Sequence, residues 1–154
     1  EEAKEQLSAG YPRLLERLIQ EAAALDGATP GAGGVLDALF EGVSDRMVEE
    51  HGPQVRAQTL EDRVERLTVA LRDEGILDGW AKRSDGYHLF NGACPHRRAA
   101  LASNGLCCSS ERRAIALLLD AEVEQLDRIA EGGAICEYLV RGESTVARPL
   151  AVKE

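Results

Sequence analysis

Between residues 59 and 90 the apolar spacing changes from a helical period to short strand-like runs. This switch restricts the chain to folds that combine helices with a sheet. In "TLEDRVERLTVALRDEG" (59–75), Leu60, Val64, Leu67, Thr68 and Leu71 recur on one helical face. Thr59 is a candidate cap with Asp62 at the reciprocal position, and Gly75 is a natural stop. In "ILDGWAKRSDGYHLF" (76–90), Asp85-Gly86 separates two strand-like runs, a strong hairpin signal.

Upstream, Tyr11, Leu14, Leu15, Leu18, Ile19 and Ala22 mark one face of a helix of about four turns, with Pro12 near its start. "GATPGAGG" (27–34) breaks the chain. Leu36, Leu39, Phe40, Val43 and Met47 then form the stripe of a second helix, either core or dimer surface, which His51-Gly52-Pro53 ends. Downstream, helices are expected at roughly 95–103 and 109–119, the second capped by Ser109 or Ser110. "EVEQLDRIAEGGAICEYLV" (122–140) reads as a second hairpin. With Gly132-Gly133 as its turn, Arg128 would face Glu137 and Ile129 would face Cys136. The expected fold is α+β: N-terminal helices plus an antiparallel sheet made from two β-hairpins separated by two helices. Residues 1–58 read as a helical dimerisation or linker region, 59–141 as an α+β cysteine-containing domain, and 142–154 as a flexible tail.

Charge and composition narrow the function. The chain has 154 residues and a formal net charge of −9. Its only paired arginines, Arg97-Arg98 and Arg112-Arg113, make a poor surface for displacing counterions from nucleic acid. No run of eighteen apolar residues is present, so no membrane span is expected. The N-terminus, "EEAKEQ", is no secretory signal, and the only methionine is Met47, as expected of a piece of a longer protein. No Ser-His-Asp order, paired-carboxylate motif or phosphate loop points to catalysis.

The chemistry is concentrated in four cysteines: Cys94, Cys107, Cys108 and Cys136. Without a secretory signal they point to a reducing, cytoplasmic compartment, where metal binding or thiol chemistry outranks disulfides. Cys94 follows a predicted strand, Cys107 and Cys108 fall in a predicted helix–helix connection, and Cys136 lies on the last strand. Spacing alone leaves three readings open: buried thiols, ligands of a soft metal or iron–sulfur cluster, and a reactive thiol. Arg97-Arg98 and Arg112-Arg113 are either solvated or lower nearby thiol pKa values. His88 reads as a partly buried strand residue, and His51 as a helix-end residue acting on the dipole. Trp80 and Tyr87 are expected under the sheet.

Five stretches together carry a resemblance: "LSAGYPRLLERLI" (7–19), "RVERLTVALRDEGIL" (63–77), "DGYHLFNGACP" (85–95), the second cysteine after twelve intervening residues, and "EGGAICEYLV" (131–140). Over roughly residues 7–141 the chain resembles the C-terminal sensor domain of the Suf-operon repressor (SufR-like) family. These are bacterial winged-helix transcription regulators akin to the ArsR and DeoR groups. The resemblance implies an iron–sulfur cofactor, of the [4Fe-4S] type, and a homodimer. It also implies DNA contact only through a winged helix absent from this chain. Cys94, Cys107 and Cys136 match the recurrent ligand positions. The chain departs from the pattern at the fourth, where Cys108, His96, Asp120 or an outside ligand could serve. Zinc on the same cysteines and a thiol switch or thiol enzyme are the alternatives.

Overall fold

The computed structural model describes residues 2–26 and 33–143, with side chains from 11 to 25 and from 33 to 142. Most of the "GATPGAGG" break and the tail from 144 onward lie outside the described residues. The elements are α1 (Glu2–Asp26), α2 (Val35–Val55), α3 (Leu60–Arg72), β1 (Gly79–Arg83), β2 (Gly86–Asn91), α4 (Arg97–Ala102), α5 (Leu106–Leu119), β3 (Ala121–Asp127), a 3-10 turn (Ile129–Glu131) and β4 (Cys136–Glu143). The four strands form one antiparallel sheet in the order β1-β2-β4-β3. The α+β expectation of helices plus an antiparallel sheet built from two hairpins therefore holds.

The first hairpin differs from its expected turn. β1 and β2 pair with Arg83 opposite Gly86, so the two-residue loop is Ser84-Asp85 and Gly86 opens β2. Gly86 is glycine for two reasons: its φ is +140°, and a Cβ there would collide with the Val140 carbonyl on β4. Tyr87 pairs with Val140 and Leu89 with Tyr138, placing these side chains on one face of the sheet. That face joins Ala121 and Val123 of β3 against Leu67 and Leu71 of α3 and Ile115 and Leu119 of α5. Each buried Leu or Ile contributes about 1.5–3 kcal/mol. Trp80 and Tyr87 pack at the edge of this core, ring centroids 5.8 Å apart, as expected.

Thr59 caps α3 as predicted: its Oγ1 accepts the Asp62 N–H at 3.1 Å. Other ends shift. α1 extends N-terminally to Glu2, so Pro12 lies inside it and removes one helical hydrogen bond. α2 runs through His51-Gly52-Pro53 to Val55. His51 therefore does not end a helix; its Nε2 lies 2.6 Å from a Glu74 carboxylate oxygen beyond α3. The second hairpin has no two-residue Gly132-Gly133 turn. The 3-10 turn lengthens the connection, Glu137 pairs with Asp127, and Arg128 bonds Glu131 instead. The strand end slips because β3 carries a register shift between Gln125 and Asp127. Gly142 and Glu143, expected in the tail, continue β4.

On the opposite face, His88 is 5% exposed and bridges two carboxylates. Its Nδ1 is 2.6 Å from Glu137 and its Nε2 2.7 Å from Asp85. Asp85 and then Glu137 hold the His88 pKa above its ordinary value of 6.5, because both nitrogens face acceptors. A raised folded-state pKa gives stability that is fully present below pH about 6.5 and is lost as pH rises through the folded value. Thermal melts should show this loss as pH rises above about 6.5, and His88→Gln should flatten it. A wild-type profile matching that of the variant would contradict the bridge.

Candidate metal centre

Three segments deliver the thiols: the loop after β2, the start of α5 and the start of β4. Asn91, 3% exposed at the end of β2, fixes the loop that carries Cys94. Its amide donates to the Gly75 and Ile76 carbonyls at 2.7 and 2.9 Å, and its Oδ1 accepts the Ala93 N–H at 3.1 Å. Asp78 accepts the Gly92 N–H at 2.7 Å. These bonds fold the chain after β2 back over the end of α3.

Cys107 and Cys108 are not in a helix–helix connection. α5 begins at Leu106, three residues earlier than expected, so both lie in its first turn. Asn104 and Gly105 both adopt positive φ, which makes the α4–α5 corner tight. Gly105, not Ser109 or Ser110, is the N-cap residue, and buried Ser103 satisfies one of the first-turn donors: its Oγ accepts the Cys107 N–H at 3.1 Å. Ser110 instead donates to the Phe40 carbonyl on α2 at 2.8 Å. Cys107 and Cys108 pack with Ala99 and Ala100 of α4, Ile19 and Ala22 of α1 and Leu36 of α2. Cys136 opens β4, and its Sγ accepts the Ile129 N–H at 3.4 Å.

The four thiols lie near one another. All are free, Cys107 and Cys108 buried and Cys94 and Cys136 half-buried. Cys94 feels the charge of Cys136, Cys107 that of Cys108 and Cys94, and Cys108 that of Cys94 and Cys136. Among the described residues, however, no three cysteine sulfurs lie within 4.8 Å of one another.

Electrostatics favour neutral thiols. Burial, then Glu111, pushes Cys107 well up and Cys108 up to about 11; burial also raises Cys94. A helix N-terminus favours thiolate, but burial and the carboxylate outweigh it here. The paired arginines do not lower these thiols. Arg113 binds Asp45 at 2.9 Å, Arg112 reaches the Val123 carbonyl at 3.3 Å, and Arg98 lies 3.7 Å from Glu16. The cation that opposes burial at Cys108 is Arg128.

Glu111 and Tyr138 escaped the sequence reading. Glu111 lies four residues after Cys107, on the same face of α5, and its carboxylate is 2.6 Å from Nδ1 of His96. His96, Cys107 and Glu111 hold their donor atoms within 4.8 Å of one another. Tyr138 on β4 faces the thiols, and burial followed by Glu111 raises its hydroxyl. Gln125, opposite Tyr138, has a buried amide with no hydrogen-bond partner. Asp120 does not join the site. It caps the far end of α5, thirteen residues from Cys107, roughly 20 Å along the helix.

The donor set, four free thiols, is of the kind that either zinc or a polynuclear cluster takes as ligands. Zinc–sulfur bonds of about 2.3 Å bring tetrahedral sulfurs to about 3.8 Å of each other. In a cluster each thiolate binds a different iron, so wider thiol spacing is accommodated. No described helix is long and apolar enough to cross a membrane. Compared with models of known protein families the chain matches none, and comparison with curated proteins likewise gives no match.

Proposed function

We propose that this chain is the sensory and dimerisation domain of a transcription regulator and holds an iron–sulfur cluster through Cys94, Cys107, Cys108 and Cys136. One observation carries the reading: four thiols from three separated segments lie close enough to feel one another's charge, while among the described residues no three sulfurs lie within 4.8 Å of one another. Burial of Cys107 and Cys108 denies them the access a nucleophile needs, whereas a metal or cluster bound there displaces their protons. A bound cluster supplies redox- and oxygen-sensitive chemistry at this site.

The protein's own residues do the rest. Asn91 and Ser103 fix the Cys94 loop and the start of α5; Arg128 offsets negative charge at Cys108. The cysteines tie β2, α5 and β4 together, so ligation energy becomes conformational energy. Structural zinc peptides gain ~10–16 kcal/mol on binding metal, and a fraction of that exceeds the ~5.5 kcal/mol needed to switch a two-state equilibrium. In this reading the output passes to a winged-helix domain in a longer chain, acting as a homodimer.

A short alkylation pulse tests the shared ligand set. Half-buried Cys94 and Cys136 should label in the metal-free protein and be protected together after anaerobic reconstitution with iron and sulfide. Full labelling of Cys94 in the iron-loaded protein would contradict the proposal.

A further inference from the structure

We infer that His96, Cys107 and Glu111 form a second metal site, one for a single borderline divalent cation such as zinc, which shares Cys107 with the four-cysteine set. The three side chains offer one nitrogen, one sulfur and one oxygen, a mixed set that suits zinc rather than magnesium or calcium. Their donor atoms already lie within 4.8 Å of one another. Tetrahedral zinc ligands stand about 3.3–3.8 Å apart, so shifts of about 1 Å close the site.

The supports come from three elements. Cys107 and Glu111 are one turn apart on α5, and Ser103 anchors the Cys107 backbone at 3.1 Å. His96 is presented at the start of α4 and held to Glu111 at 2.6 Å, where a proton now occupies the cation's place. Glu74 adds negative charge near the imidazole. A carboxylate among four thiols is unfavourable for thiolate formation, and a cation removes that conflict.

Access is provided as well. A groove of about 600 Å³ runs between α1 and the Cys94–Ala99 segment, with Leu14, Leu18, Pro95 and His96 on its walls. Three protein ligands leave a fourth position toward this groove for water or a solute donor. Because Cys107 belongs to both sets, zinc at this site and a cluster on all four cysteines exclude each other. Zinc would then block cluster assembly. Cation binding itself does not depend on the cluster reading; only the exclusion does.

The test is cobalt(II) titration of reduced, metal-free protein, read by visible absorption, with zinc as competitor. The expected result is one cobalt per chain, four-coordinate bands with a charge-transfer band of one-thiolate intensity, and displacement by zinc. Glu111→Gln and His96→Gln should each weaken binding by at least about tenfold, with unchanged circular dichroism. Charge-transfer intensity of three or four thiolates, lost on Cys136→Ser and indifferent to Glu111→Gln, would overturn the inference. So would no cobalt binding at micromolar concentration. Reconstitution of His96→Gln with iron and sulfide separates the two readings: cluster assembly that zinc no longer blocks supports both. Cluster failure in wild type with intact cobalt binding overturns the cluster reading alone.

Discussion

Serine at Cys136 should leave the fold in place and remove nearly all the iron that wild-type protein retains after anaerobic reconstitution. Cys136 opens β4 and is half-buried, and its Sγ accepts the Ile129 N–H at 3.4 Å and lies within hydrogen-bonding reach of Cys94. A serine oxygen can accept the same bond, so the melting temperature should move little. A hydroxyl is a far poorer ligand for iron than a thiolate. Iron per chain should therefore fall by more than about tenfold. Cys94→Ser should behave alike, because Cys94 lies beside Cys136. Full iron retention in Cys136→Ser would take β4 out of the site and leave only Cys94, Cys107 and Cys108.

The largest stability loss is expected at Gly86, a position with no role in ligation. At φ +140° an L-residue is strained by about 1–3 kcal/mol. Alanine would also drive its Cβ into the Val140 carbonyl, backbone that cannot turn aside. Relief requires β2 to move away from β4, which breaks the central pairing of the sheet. Gly86→Ala should destabilise by about 3 kcal/mol and lower Tm by roughly 10 °C. Iron loading should fall with it, because Asn91 and the Cys94 loop hang from the end of β2. A Tm within a degree or two of wild type would mean that β2 and β4 are less closely paired than described.

What the sequence made legible follows from how local each signal is. The helical stripe of 60–71, the Thr59 cap and both hairpin regions depend on neighbours a few residues away, and all stand in the structure. Turn geometry was harder. Asp85-Gly86 signals a turn whether glycine sits in the loop or just after it; only the approach of Val140, fifty-four residues away, makes Gly86 the first residue of β2. The start of α5 was misplaced for a similar reason. Ser109 and Ser110 are good caps locally, but the helix starts after Gly105, and Ser103, held across a positive-φ corner, accepts the Cys107 N–H.

That misplacement hid the site's acidic member. With α5 beginning at 109, Cys107 is outside the helix and Glu111 has no fixed relation to it. With α5 beginning at 106, the two are one turn apart on one face. Arg128 was assigned to a strand pair with Glu137, whereas the 3-10 turn brings it to Cys108. Of the paired arginines, the nearest cations in sequence, Arg98, Arg113 and Arg112 are taken up by α1, α2 and β3. The stripe of α1 was read correctly as apolar but not as exposed: Tyr11 is 75% and Leu18 58% accessible, while Ile19 and Ala22 pack inward. Periodicity locates an apolar face; it does not say what covers it.

The most direct measurement of the central claim is iron, acid-labile sulfide and zinc counted together in protein isolated without oxygen. The account predicts iron and sulfide in equal amounts, about four of each per chain for a [4Fe-4S] cluster, with broad visible absorption that air bleaches. Colourless protein without sulfide after anaerobic reconstitution would contradict it, whether the cysteines then hold zinc or nothing.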